Sequence, residues 1–120
     1  MRTLTEHIAN PANAELTVTV LDEPGQGGAN HQYEISWWPT AGPEALGQTC
    51  FIGFQNGPIK EVGVNGITQE ALLAIVIDRL RSFQAGPYSC KENSVALTHI
   101  ETGLLWLQHR TRERIARGVE

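Results

Sequence analysis

The sequence predicts an α+β fold in which an N-terminal antiparallel β-sheet of about four or more strands precedes a C-terminal hairpin of two helices. Three observations predict it. Apolar residues alternate with polar ones in the first half, Gly- and Pro-rich breaks separate those segments, and the apolar spacing becomes helical after Asn65-Gly66. We expect one domain over residues 1–120, with the sheet at about 14–66 and the helices at about 68–118.

The first two predicted strands flank a Gly-rich turn. Residues 1–13 show no periodic pattern and are expected to form an irregular lead-in. Residues 15–21 alternate and are rich in β-branched side chains, as a strand requires. Residues 22–30 contain one Pro and three Gly, which predicts a flexible turn, and residues 31–38 alternate again as the second strand.

Two further strands are predicted before the helices begin. Residues 39–47 are expected to form a loop, residues 49–54 the third strand, residues 55–58 a turn and residues 59–64 the fourth strand. Because short loops join successive strands, we expect an antiparallel meander.

Both helices carry recognisable end signals. Thr68 is expected to cap the first helix, with Glu70 in its first turn, and Ala85-Gly86-Pro87 should end it. Ser89 and Glu92 have the spacing of a capping box, so the second helix should start there and continue to about Arg117. The apolar residues of the first helix recur at helical spacing. They are Leu72, Ile75, Val76, Leu80 and Phe83, with Arg79 on the same stripe.

The second helix places arginines beside its apolar stripe. At about 100° per residue the apolar stripe spans an arc of about 80°. Its members are Leu97, Ile100, Leu104, Leu107 and Ile115. Arg110, Arg114 and Arg117 fall within about 60° of one another and border this stripe, in the sector of Gly103 and Trp106. Glu113 has the spacing to pair with Arg117.

Two interpretations of this arginine row remain open. Four of the nine Lys and Arg residues fall in eight positions of a chain with net charge −4. Cations near a helix C-terminus are favoured by the helix dipole alone, so a solvated helix end explains the pattern. However, the planar guanidinium group suits phosphate oxygens, and the row lies beside aromatic residues, so a pocket for an anionic, ring-containing ligand explains it too.

Two other candidates also have a structural and a functional interpretation. Phe83 ends the apolar stripe of the first helix, where it can be a core residue or a platform on which a base stacks. Asn93 lies in the first turn of the second helix, where it can satisfy local backbone groups or bind the edge of an adenine. Trp37 and Trp38 are adjacent, so one of them must face outward, at a sheet edge or a subunit contact.

Composition argues against several functional classes. A pI near 5.5 disfavours DNA binding, and the longest apolar run, residues 71–77, is too short to span a membrane. The N-terminus has no apolar leader, and Cys50 and Cys90 are expected to be buried thiols of a cytosolic protein. The four His residues lack metal-ligand spacing, and no nucleophile elbow or P-loop is present. We therefore expect no catalytic residue, no metal and no cofactor.

Residues 54–120 resemble phage anti-defence proteins of the Thoeris-inhibiting sponge family. The most specific pieces are FQNGPIKEVGVNG, the CKEN step at the start of the second helix, and LLWLQHRTRERIARGVE. Lys91 in the CKEN step stands where the family would be expected to prefer arginine, and residues 1–53 carry no comparable match.

The resemblance implies a function that composition alone does not indicate. Members of this family bind cyclic ADP-ribose isomers made by TIR-domain proteins, in the cytoplasm of the infected bacterial host, and hold them without cleaving them. Some members also trap cyclic di- or trinucleotides of CBASS immunity, and members assemble as dimers or hexamers. By similarity, Phe83 would stack on the ligand, Asn93 would bind its base or ribose, and Arg110 and Arg114 would bind its pyrophosphate. The rival hypothesis is an oligomeric protein–protein adaptor without a small-molecule ligand.

Overall fold

In the computed structural model, which describes residues 1–11, 15–39 and 46–118, four strands form one antiparallel sheet followed by helices. The strands are β1 Arg2–Leu4, β2 Thr17–Val20, β3 Gln32–Trp37 and β4 Gln48–Gly53. They pair in sequence order, with Val18 opposite Ile35 and Ile35 opposite Cys50. The predicted α+β class and antiparallel meander are confirmed. Most of the loop predicted at 39–47 lies outside the described residues.

Two predicted segments are wrong, and both errors concern local geometry. The lead-in contains β1, whose three residues are too few to show alternation and which pairs with β2 through Leu4 and Val18. The predicted fourth strand is instead a short helix, α1 Ile59–Val62. Gly57 and Gly63 flank it with φ of 92° and 72°, a left-handed backbone that turns the chain at each end.

Side-chain amides brace the loop that carries α1. Asn65 accepts a hydrogen bond from the backbone N–H of Asn56 (2.8 Å) and donates one to its carbonyl (2.7 Å). Gln55 accepts from the backbone N–H of Asn65 (2.9 Å) and donates to the carbonyl of Gly63 (2.8 Å). The side-chain amides of the motif FQNGPIKEVGVNG therefore hold this segment as a fixed loop, where a strand would be held by backbone hydrogen bonds.

Asp22 holds the Gly-rich turn after β2. Its carboxylate accepts hydrogen bonds from the backbone N–H of His31 (3.0 Å) and Gln32 (3.2 Å), and Asn30 donates to its carbonyl (2.6 Å). Partial desolvation raises the pKa of Asp22, but these backbone hydrogen bonds outweigh it, and the pKa lies below its usual value. The turn thus has fixed ends around a single 3₁₀ turn at Gln26–Gly28.

Residue contacts divide the chain into two compact units. The sheet unit comprises Met1–Gly57 with Val62–Ile67, and the helical unit comprises Pro58–Glu61 with Thr68–Glu120. In the sheet unit Val20 is the most deeply buried apolar residue. Trp38 is 62% exposed and Trp37 half-buried, so the expected outward-facing tryptophan is Trp38.

The helical unit is a hairpin of α2 Gln69–Ala85 and α3 Lys91–Arg117. The Thr68 hydroxyl caps α2 by accepting from the backbone N–H of Ala71, and α2 ends at Gly86, as predicted. Ile77 is the buried residue of α2, and Arg81 binds one carboxylate oxygen of Glu101 through two nitrogens at 2.7 and 3.2 Å. Within the described residues, no helix is long and apolar enough to cross a membrane.

The start of α3 differs from the predicted capping box. The N-cap is Cys90, whose Sγ accepts from the backbone N–H of Asn93 at 3.4 Å, one residue later than Ser89. Cys50 and Cys90 are also exposed, so the expectation of buried thiols is wrong. Sequence spacing favoured Ser89 because hydroxyls are the better caps, but the chain enters the helix one residue further on.

Replacing Cys90 with serine is expected to stabilise the helical unit slightly. A serine hydroxyl accepts a shorter hydrogen bond from Asn93 than a thiol does, so we expect the free energy of unfolding to rise by about 0.5–1 kcal/mol. Thermal denaturation followed by circular dichroism measures the change. Ser89→Ala is the matched control and should leave the midpoint unchanged. A larger loss from Ser89→Ala than from Cys90→Ala would restore the predicted capping box.

Candidate functional site

The arginine row of α3 lies at the border of the half-buried stripe, where the helical wheel places it. Arg110 and Arg117 are exposed, and Arg114 is half-buried. Glu113 lies 3.4 Å from His109 Nε2, and no ion pair between Glu113 and Arg117 is present among the described residues. Ile115, assigned to the apolar stripe by spacing, is 60% exposed. The last turns of α3 therefore present both guanidinium and apolar groups.

Trp106 adds an aromatic surface to the same sector of α3. The indole is 68% exposed and meets the His109 ring edge-to-face, with centroids 5.8 Å apart. A single helical turn, about 6 Å, separates Trp106 from Arg110 and Arg110 from Arg114. This part of the helix places an exposed ring next to exposed cations, which is an arrangement suited to a ligand with a ring and phosphates.

Phe83 is a surface residue. Its side chain is 41% exposed, which removes the core interpretation of this position. The Arg79 guanidinium lies over the ring, with Cζ 5.5 Å from the ring centroid. Ile75 and Val76 on the same face of α2 are also exposed. The stripe identified from helical spacing is thus exposed in part, at Ile75, Val76 and Phe83, while Leu72 and Leu80 of the same stripe are half-buried.

Gln84 fixes the turn between the two helices, next to Phe83. Its side-chain amide donates to the carbonyl of Cys90 (3.1 Å) and accepts from the backbone N–H of Cys90 (3.1 Å). Cys90 in turn caps the helix at Asn93, which is half-buried. These bonds hold the end of α2 against the start of α3, so Phe83 and Asn93 lie at the same end of the hairpin.

The four predicted site residues form two groups in a single chain. We call Phe83 and Asn93 the turn end, and Arg110 and Arg114 the arginine end. Asn93 and Arg110 are 17 positions apart on one continuous helix, which is about 26 Å along its axis. One small ligand cannot contact both ends of the same α3. Each pair of residues therefore lies at one end of the hairpin, but the turn end and the arginine end of a single chain are too far apart to form one site.

Two cavities lined by described residues contain no predicted site residue. A cavity of about 290 Å³ lies beside Trp38, Ser36 and Thr49, and one of about 230 Å³ beside Arg2 and Asp22, both in the sheet unit. Both are open, and neither lies on α2 or α3. Among the described residues, no group of three His, Cys, Asp or Glu side chains is arranged to hold a metal ion.

Two residues that shape the turn end were not identified as site candidates from sequence. Arg79 stands four positions before Phe83, a spacing that places both on one helix face and could have indicated the contact. Gln84 gives no sequence signal, because its two hydrogen bonds to Cys90 depend on the path of the turn.

Comparison with known proteins finds a matching family model and a similar curated protein. Residues 47–112 match the model of a family described as "Acb2/Tad1, hairpin domain", a range that includes the turn end and Arg110 and stops before Arg114. The protein "Thoeris anti-defense 1" of Bacillus phage SBSphiJ7 is 47% identical over 74 residues, which cover 62% of this chain and 52% of that protein. The chain thus spans about half the length of this curated relative.

Proposed function

Because this chain belongs to the Acb2/Tad1 hairpin-domain family, we propose that it is a phage anti-defence protein that binds cyclic ADP-ribose isomers and holds them without cleaving them. Such isomers are the signals of Thoeris immunity, so their removal inside the infected bacterial cell would block that defence. The observation that carries the proposal is the exposed combination of guanidinium groups and aromatic rings on α2 and α3.

Each predicted site residue has a role that its position supports. The exposed ring of Phe83 is available for stacking on adenine, and Asn93 lies at the same end with an amide suited to a base edge or ribose. Arg110 and Arg114 are one helical turn apart, about 6 Å, a spacing that fits two neighbouring phosphates.

The separation of the two ends supports a site shared between two copies of the chain. Since Asn93 and Arg110 are about 26 Å apart along α3, the ring-binding and phosphate-binding groups must come from different protomers. Two hairpins that run in opposite directions place the turn end of one against the arginine end of the other. The outward apolar face of α2, with Ile75 and Val76, provides surface that such an assembly can bury.

The required affinity is compatible with these groups. Sequestration works by stoichiometry, and nanomolar binding corresponds to about −12 kcal/mol. Charge-assisted hydrogen bonds contribute roughly 1.5–3 kcal/mol each, and one stacked base about 1–3 kcal/mol. Two arginines on two phosphates, with adenine on Phe83, supply roughly 4–9 kcal/mol by these figures, so burial of the ribose and further contacts must supply the rest and offset the entropy cost of binding.

Ligand depletion and recovery test the proposal directly. The protein is mixed with a cyclic ADP-ribose isomer, the free ligand is measured by liquid chromatography, and the mixture is then heated to denature the protein. We expect depletion in proportion to protein concentration and recovery of chemically unchanged ligand. Recovery of an altered product would indicate a hydrolase, and no depletion with any isomer would refute the proposal.

The rival hypothesis, a protein–protein adaptor, is favoured by the exposed apolar face of α2. Native mass spectrometry separates the two, because sequestration predicts a mass increase of one ligand per site, while an adaptor shows none. Adding cyclic di- and trinucleotides to the same measurement tests the second ligand class, and the unliganded spectrum distinguishes a dimer from a hexamer.

A further inference from the structure

Two arginines near the end of α2 have different partners: Arg79 contacts an aromatic ring, and Arg81 contacts a carboxylate. The Arg79 Cζ atom lies 5.5 Å from the centroid of the Phe83 ring. Arg81, two positions further on, is bound to Glu101 by two nitrogens and is committed to holding the hairpin together. Among the residues that the structure describes, no carboxylate forms an ion pair with Arg79.

The position of Arg79 leaves both partners available to a ligand. Arg79 lies over the Phe83 ring, and Phe83 is 41% exposed, so part of the ring surface is accessible to a stacked base. The guanidinium has five N–H donors, and contact with a ring face uses none of them in a conventional hydrogen bond. The Arg79–Phe83 pair therefore offers an aromatic surface and an exposed cation at one place on α2.

We propose that Arg79 is a further ligand-binding residue, which donates hydrogen bonds to a phosphate of the nucleoside diphosphate-type ligand whose base stacks on Phe83. A nucleotide carries its phosphate one ribose away from its base, so a cation beside the stacking ring meets the phosphate nearest the base. This inference rests on the proposed function, and it adds the positive charge of Arg79 to that of Arg110 and Arg114 in the proposed ligand site.

The assignment also changes how the pyrophosphate is held. Arg110 and Arg114 are on the arginine end, whereas Arg79 is at the turn end with Phe83 and Asn93. In the shared site, guanidinium groups then approach the two phosphates from two protomers. Ligands with a base but no phosphate next to it lose the Arg79 contact, which makes Arg79 a determinant of specificity as well as affinity.

The test compares Arg79→Gln with the wild-type protein by isothermal titration with cyclic ADP-ribose isomers. We expect Arg79→Gln to weaken binding by about tenfold or more, as loss of one charge-assisted hydrogen bond implies. The salt dependence of the affinity should also become shallower, because one cation no longer faces a phosphate. Arg79→Lys should fall between the two proteins, since it retains the charge but not the planar donor group.

Arg112→Gln is the matched control. It removes the same charge from an exposed position that is not part of the arginine row, and its affinity should stay within about twofold of wild type. Wild-type affinity in Arg79→Gln, or weaker binding with an unchanged salt dependence, would overturn the assignment and leave the proposed function standing. Absence of binding by the wild-type protein would instead refute the proposed function. If Arg79→Gln does not fold by circular dichroism, the comparison is made with Arg79→Lys.

Discussion

Replacing Arg110 with glutamate is expected to abolish capture of cyclic ADP-ribose isomers and to leave assembly of the protein intact. The substitution removes a charge-assisted hydrogen bond and places a carboxylate next to the ligand phosphates, so we expect affinity to fall at least about 100-fold. Arg110 is exposed, and the change should not disturb packing within its own hairpin. Titration calorimetry measures the affinity, and native mass spectrometry measures the assembly.

Arg114→Glu should have the same effect on capture with a larger effect on stability. Arg114 is half-buried and interacts with another group of the protein, so its replacement is expected to lower the melting temperature as well. Arg112→Glu is the control, because Arg112 is outside the arginine row and should tolerate the charge reversal. Normal capture by both Arg110→Glu and Arg114→Glu would mean that the row is only a solvated helix face stabilised by the helix dipole.

Gly66→Ala is expected to lower the free energy of unfolding more than alanine at the other glycines described by the structure, because its added Cβ makes the closest contacts. A Cβ atom at Gly66 would lie 2.4 Å from the carbonyl carbon of Phe54 and 2.6 Å from the backbone nitrogen of Gln55. Backbone atoms cannot move aside as a flexible side chain can, and the amide-braced loop fixes both segments. We expect a loss of at least about 3 kcal/mol, which lowers the melting temperature by on the order of 10 °C.

Gly103→Ala is expected to stabilise the protein, in contrast to Gly66→Ala. Gly103 is inside α3, and an added Cβ meets no atom within 4 Å, so alanine should raise the free energy of unfolding of a single chain by about 0.5–1 kcal/mol. Thermal denaturation of both variants at one protein concentration gives the comparison. Equal melting temperatures for Gly66→Ala and the wild-type protein would show that the loop accommodates the methyl group.

The sequence predicted those elements whose periodicity extends over enough residues. The alternation of Thr17–Val20 and Gln32–Trp37 identified β2 and β3, and helical spacing identified α2 and α3, because side-chain direction repeats regularly in both structures. The three residues of β1 are too short for such a signal. The β-branched residues of α1 suggested a strand, but the flanking glycines with positive φ determined a helical turn instead.

The sequence predicted which residues belong to the candidate site, but not their exposure or their contacts. Helix geometry fixes the angular position of Arg110 and Arg114 on α3, so the row was found from sequence alone. The same geometry does not say how much of the apolar stripe of α2 stays exposed in the folded hairpin. Phe83 therefore had two interpretations until its exposure was known, and its contact with Arg79 depends on side-chain conformation, which sequence does not determine.

The distance between the turn end and the arginine end has a consequence for mixed assemblies. In the twofold pair proposed above, each binding site would take Phe83 from one chain and Arg110 from the other. A heterodimer of one Phe83→Ala chain and one Arg110→Glu chain then contains one site with both defects and one site with neither. Two variants that are each inactive alone should therefore complement one another on co-refolding, and regain about half of the wild-type capacity per heterodimer.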